Sequence, residues 1–138
     1  MDTQESYPGV HALPVEERNA VLNIATMPWQ KVSGKVVGVE DKTLADKNEN
    51  PGNLWTSLAR LLPGGVFPEH RHPYPQLFFF TEGSGVVELD SKPIHVQPGM
   101  AVRMFHGESH KVINNTDKDL VLIQISLPLW RPSKVDES

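Results

Sequence analysis

At 138 residues and 38% hydrophobic content, the chain can bury one core and no more. A formal net charge of -4 with no cluster of Lys or Arg argues against a nucleic-acid partner, because neutralising phosphates takes concentrated positive charge. The absence of cysteine removes both a disulfide framework and a thiolate metal site, which fits a cytoplasmic protein whose fold rests on packing or on metal bound through other side chains.

The first element is a polar leader to about Leu13; Met1 to Pro14 lacks a basic start followed by an apolar run, so no secretory signal is expected. Val15 to Ile24 is predicted as a short helix opened by Pro14, Glu16 and Glu17 and ended by Met27 and Pro28. Residues 1–28 are thus an expected N-terminal arm, and 29–138 the folded domain. Twelve prolines and ten glycines at short intervals favour many short strands, an all-β reading. Strands are expected at Trp29 to Val32, Lys35 to Glu40, Leu54 to Leu62 and Gln76 to Thr81. Further strands are expected at Val86 to Asp90, Pro93 to Val96, Met100 to Met104, His110 to Asn114 and Leu120 to Leu127. Between them lie a polar loop from Asp41 to Asn53, a turn at Pro63-Gly64-Gly65, a hairpin turn over Glu82 to Gly85, and turns at Ser91-Lys92, Pro98-Gly99 and Asn115 to Asp119. The longest apolar stretches, Leu77 to Phe80 and Leu120 to Leu129, are too short or too interrupted to span a bilayer. There is no internal repeat, and the tail from Pro128 is polar apart from Leu129 and Trp130.

Chemistry concentrates in two segments. His70, His72 and Gln76 lie together, and His110 follows some forty residues on. Imidazole suits zinc, iron, nickel and manganese, and residues i and i+2 on a strand point to one side of a sheet. Gly64 is followed by five residues, His70-Arg71-His72, three residues, Gln76, six residues and Gly83; Gly99 is followed by five residues, Phe105-His106-Gly107, two residues, His110, three residues and Asn114. These runs resemble the paired motifs of the cupin superfamily over roughly residues 54 to 127. Gln76 stands where glutamate is commonest and Phe105 where proline is. The resemblance implies a small jelly-roll barrel, the double-stranded β-helix, with one divalent metal ion in its mouth. It carries the family's four metal positions onto His70, His72, Gln76 and His110. It does not select a reaction, because one fold hosts many.

Gln76 changes the chemistry expected of such a site. Three imidazoles and one amide are all neutral, so a divalent ion keeps its full charge and becomes a stronger Lewis acid. The amide takes no proton, so a general base must be found elsewhere. His106, on the turn before His110, is the first candidate; Tyr74, between Pro73 and Pro75, could offer a phenol; Arg60 could clamp a carboxylate. If Gln76 faces the metal, Phe78 and Phe80 share its face while Leu77 and Phe79 point outward, which predicts a face covered by a second subunit in a homodimer, with the amino-terminal segment of the same chain, or a swapped arm, as the alternative cover. Phe67, Phe78, Phe80, Phe105, Met100 and Met104 could line an apolar cavity for a small-molecule substrate. These features point to a metal-dependent enzyme for non-redox cyclisation, isomerisation or elimination of an enolisable substrate. A ferrous-iron dioxygenase and a non-catalytic small-ligand binder are the alternatives.

Overall fold

The computed structural model describes residues 14–130 apart from Arg18; the leader up to Leu13 and the tail beyond Trp130 lie outside the described residues. Nine strands follow in order: β1 (Gln30–Lys31), β2 (Val37–Ala45), β3 (Trp55–His70), β4 (Gln76–Glu82), β5 (Gly85–Leu89), β6 (Lys92–Val96), β7 (Ala101–Met104), β8 (His110–Ile113) and β9 (Leu120–Ser126). Every pairing is antiparallel. The strand order is β6-β5-β8-β3-β9-β4-β7, with β2 added to β3 and β1 to β2. The sheet curls so that alternate residues meet inside, which makes the all-β barrel expected of the sequence. Phe78, Phe80, Leu61, Val87, Val96, Val112, Leu120 and Leu122 form the buried centre.

β3 organises the barrel because it changes partners along its length. Trp55 to Leu61 pairs with β9, and Val66 to His70 pairs with β8. The change happens at Gly64, whose φ of 79° opens the bend. The segment expected as a turn at Pro63-Gly64-Gly65 is therefore a bend inside one strand of 16 residues. Asn114 fastens it: its backbone oxygen accepts from Gly64 N–H at 3.0 Å, its N–H donates to Gly65 O at 2.9 Å, and its side-chain amide donates to Leu61 O at 2.8 Å. A Cβ on Gly65 would stand 2.8 Å from the oxygens of Gly38 and Leu62, so the crossing strands tolerate only glycine there.

Three local expectations are corrected. The helix over Val15 to Ile24 is instead two separate 3-10 turns, Val15–Glu17 and Ile24–Thr26. Asn19 sits at φ 47° between them, and Val15, Val21, Leu22 and Ile24 are all exposed, so no apolar face pays for helix nucleation. The polar loop begins later than Asp41, because β2 runs on to Ala45 against β3. Lys42 is buried within it, donating to Ile24 O at 2.7 Å and lying over the Trp29 ring. Glu82 to Gly85 is no hairpin turn: β4 pairs with β7 and β9, and β5 with β6 and β8, so this link joins strands that are not neighbours, near opposite ends of the sheet order. The hairpin between β5 and β6 is present, with Asp90 and Ser91 at φ 45° and 68° as its central residues, one position earlier than expected.

Candidate metal centre

The bend in β3 delivers His70 at the strand's last residue, where its Cα partner is His110, the first residue of β8. Their rings stand 4.0 Å apart between centroids. His72 lies two residues beyond β3, so a loop rather than strand parity brings it in; its ring is 4.9 Å from that of His110 and 5.4 Å from that of His70. One ligand nitrogen from each of the three lies within 4.8 Å of the others. Gln76 opens β4 opposite Met104 on one side and Ser126 on the other. Its side chain joins the group: Oε1 stands 3.0 Å from His72 Nε2, while Nε2 donates to Ser126 Oγ at 2.9 Å.

The hydrogen bonds around the rings decide which nitrogens are free. His70 Nδ1 lies 3.0 Å from Pro68 O, His72 Nδ1 3.1 Å from Tyr74 O, and His110 Nδ1 3.4 Å from Glu108 O. A carbonyl only accepts, so each Nδ1 carries the proton and each Nε2 presents a lone pair. With His72 neutral, Gln76 Oε1 and His72 Nε2 face each other as two lone-pair atoms at 3.0 Å, a contact made favourable by a metal ion between them or by a proton on Nε2. That is roughly the spacing of adjacent ligands on one ion at bond lengths of about 2.1 Å. His110 Nε2 is buried with no hydrogen-bond partner. Burying a strong acceptor unpaired is costly, and a metal ion removes the cost. The residues present fit a divalent metal.

Electrostatics favour the neutral donor set. His110 is 1% exposed. Its pKa is lowered from 6.5 to about 4, first by burial and then by the neighbouring His70, which disfavours a second positive ring beside it; the Glu108 carbonyl pulls upward and His72 adds a further lowering. The third histidine is therefore already deprotonated at neutral pH and surrenders no proton to a metal.

The other candidate residues part company. Tyr74 is at the site: its ring stacks on His72 with centroids 3.7 Å apart and planes 5° from parallel, while its carbonyl takes the His72 Nδ1 proton. Burial pushes its phenol above the usual value, so it keeps its proton. His106 is exposed on the turn at the rim, with its N–H donating to Glu108 Oε1 at 3.1 Å. The next residue, Gly107, passes close to the His72 carbonyl, since a Cβ there would lie 3.9 Å from it. Arg60 is not brought to the histidines. It alternates with the buried Ala59 and Leu61, so it points off the core face, ion-pairs with Glu40 at 2.6 Å and lies 4.2 Å over the Trp29 ring. Of the expected apolar lining, Phe78, Phe80 and Met104 are buried and Phe67 and Met100 pack against them, but Phe105 is 44% exposed at the rim. There it borders a cavity of about 210 Å³ that reaches Gln76 and Ser126.

Three further participants escaped the sequence reading. Ser126 orients the Gln76 amide. Ser57 and Gln124 put two more polar groups on the inner wall. The signal was there for the β9 pair: Gln124 and Ser126 fall at period two, on the parity of Leu120 and Leu122, within an otherwise apolar strand.

A family model described as a cupin domain matches residues 57–126. The chain is a cupin. It is 30% identical over 92 residues to gentisate 1,2 dioxygenase 1 of Aquipseudomonas alcaligenes, a match covering 59% of this chain and 26% of that protein. It is 33% identical over 52 residues to the dimethylsulfoniopropionate lyase DddW of Ruegeria pomeroyi, covering 38% of this chain and 34% of the other. The alignments thus span about a quarter and about a third of those two relatives. Among solved structures, the polyketide cyclase RemF from Streptomyces resistomycificus superposes with a TM-score of 0.71 at 19% identity, over 82% of this cupin and 81% of RemF. At that identity the likeness establishes the fold. Three histidines of this cupin could hold a metal ion, and among the described residues no helix is long and apolar enough to cross a membrane.

Proposed function

We propose that this cupin is a metal-dependent enzyme acting on a small enolisable substrate, with His70, His72, His110 and Gln76 as the metal ligands and a non-redox cyclisation, isomerisation or elimination as the reaction. One observation carries the reading: the buried Nε2 of His110 has no hydrogen-bond partner and lies among the ring nitrogens of His70 and His72, with the Gln76 side chain 3.0 Å from His72. A divalent cation held by four neutral donors supplies an undiminished Lewis acid able to polarise a carbonyl. The chain's own groups supply the rest. The three Nδ1-to-carbonyl bonds hold each ring with its Nε2 toward the centre. Phe78 supplies an apolar wall on the inner side, its ring 5.9 Å from that of His110. Tyr74, protonated, serves as a hydrogen-bond donor at the rim. His106, at the same rim, is the candidate for moving the substrate proton, because Gln76 cannot accept one.

The fold shared with a polyketide cyclase and the local match to a lyase support a non-redox reading. The match to a gentisate dioxygenase supports the second reading, a ferrous-iron dioxygenase at the same ligands. Exposed Phe79 and Ile125 on the outer face of β4 and β9 support a homodimer built on that face. The deciding experiment is elemental analysis of natively purified protein, followed by assays of enolisable polyketones with and without oxygen. Anaerobic turnover that needs the metal is expected. Stoichiometric oxygen uptake selects the dioxygenase, and a metal-free protein with unchanged behaviour after His72→Ala overturns both.

A further inference from the structure

Ser57 on β3 and Gln124 on β9 are Cα partners, and Gln124 is also the Cα partner of Phe78 on β4. All three lie on the parity that faces the barrel interior, where Ser57 is 1% and Gln124 9% exposed. One pleat nearer the mouth on the same strands, Ser126 pairs with both Trp55 and Gln76. Two residues along a strand advance about 7 Å, so the Ser57–Gln124 pair sits about that far inward from Gln76. The Ser57 hydroxyl is buried with no hydrogen-bond partner, and among the described residues the Gln124 amide is joined to no other group either. Beyond them the wall turns apolar, with Ala59 opposite Leu122. Ser57 and Ala59, both small, are the buried residues of β3 on this part of the wall.

The charge of this wall is equally informative. The inward groups of β3, β4 and β9 are Ser57, Gln76, Gln124 and Ser126 among apolar neighbours, with no Lys or Arg; Arg60, the nearest cation in β3, is spent outside on Glu40. A buried carboxylate without a cation is strongly disfavoured, whereas a hydroxyl or ketone asks only for donors and acceptors. We propose that Ser57 and Gln124 form a second polar subsite that binds a neutral oxygen, a hydroxyl or a ketone, on the part of the substrate remote from the histidines, in preference to a carboxylate. The inference rests on the histidine cluster being a metal centre that holds the other end of the substrate.

Three ligands separate the possibilities, because they share one 5-hydroxy-4-pyranone chelating unit and differ only across the ring. Kojic acid carries a hydroxymethyl group there, allomaltol a methyl and comenic acid a carboxylate. Titrated calorimetrically into the full chain loaded with nickel, kojic acid is expected to bind at least about tenfold tighter than allomaltol, as sites built to pair a hydroxyl do, and comenic acid no tighter than allomaltol. In Ser57→Ala combined with Gln124→Leu, the preference for kojic acid should vanish while allomaltol binding and nickel content stay unchanged. Thermal unfolding checks that the double variant is folded. Should it fail to fold, Ser57→Ala alone, which deletes one oxygen, must still cut the kojic acid advantage. Kojic acid and allomaltol binding within twofold to the native chain, or comenic acid binding tightest, overturns the subsite alone. A chain that takes up no nickel overturns the metal centre and the subsite with it.

Discussion

Acidifying the metal-free protein tests whether His110 is held inside the barrel as a neutral base. In the folded chain its pKa lies at about 4, against 6.5 for an ordinary histidine, with burial as the leading cause. As pH falls through 6.5 the unfolded chain takes up a proton at this position that the folded chain refuses until about 4. Stability from this residue is thus fully present above pH 6.5 and lost progressively below it. Each pH unit of that gap is worth about 1.4 kcal/mol, so the whole window amounts to on the order of 3 kcal/mol. The assay is urea unfolding of chelator-treated protein at several pH values between 7 and 4, for the native chain and for His110→Asn, which cannot titrate. The native chain should lose on the order of 3 kcal/mol more than the variant across that range. Parallel curves would refute the reasoning, since they would mean that burial of His110 sets no preference for its neutral form.

Ser126→Ala removes the acceptor that points the Gln76 oxygen at the histidines. It should weaken metal binding by about 10-fold or more in competition with a chromophoric chelator, as loss of a ligand's supporting hydrogen bond does elsewhere. If Tyr74 plays the proposed donor role, Tyr74→Phe should preserve metal affinity through the stack on His72 while lowering turnover, whereas Tyr74→Ala should lower both, measured by the same competition and by steady-state assay. Phe79→Glu puts a charge on the exposed outer face of β4 and should shift the proposed homodimer to monomer in light scattering, leaving metal content unchanged.

Legibility followed the range of the forces involved. Glycine and histidine spacings report local demands, which is why the two motifs singled out His70, His72 and His110, which the structure gathers into one cluster, and Gln76, which it sets beside His72. The alternation Gln76, Phe78, Phe80 against Leu77, Phe79 likewise fixed which way β4 faces, and the burial pattern agrees. Arg60 shows the limit. Its residue type suits anion binding, but its role depends on Glu40 and Trp29, neighbours supplied by the pairing of β2 with β3 and by the chain leading into β1. Glu82 to Gly85 misled for a related reason: a Gly-rich link looks the same whether it closes a hairpin or joins strands that are not neighbours, and only non-local pairing tells the two apart.

The amino-acid sequence by itself determined that this chain is a small all-β cupin with a glutamine beside its histidine motif, because residue identity and strand period act over a few neighbours. Tertiary structure alone decided that the Gln76 amide meets Ser126, fifty residues away, that His110 Nε2 is buried without a hydrogen-bond partner, and that Ser57 lies opposite Gln124 on the inner wall. Those facts arise from strands far apart in the chain lying side by side, and a hydrogen bond or a desolvated imidazole exists only once the barrel has closed around it.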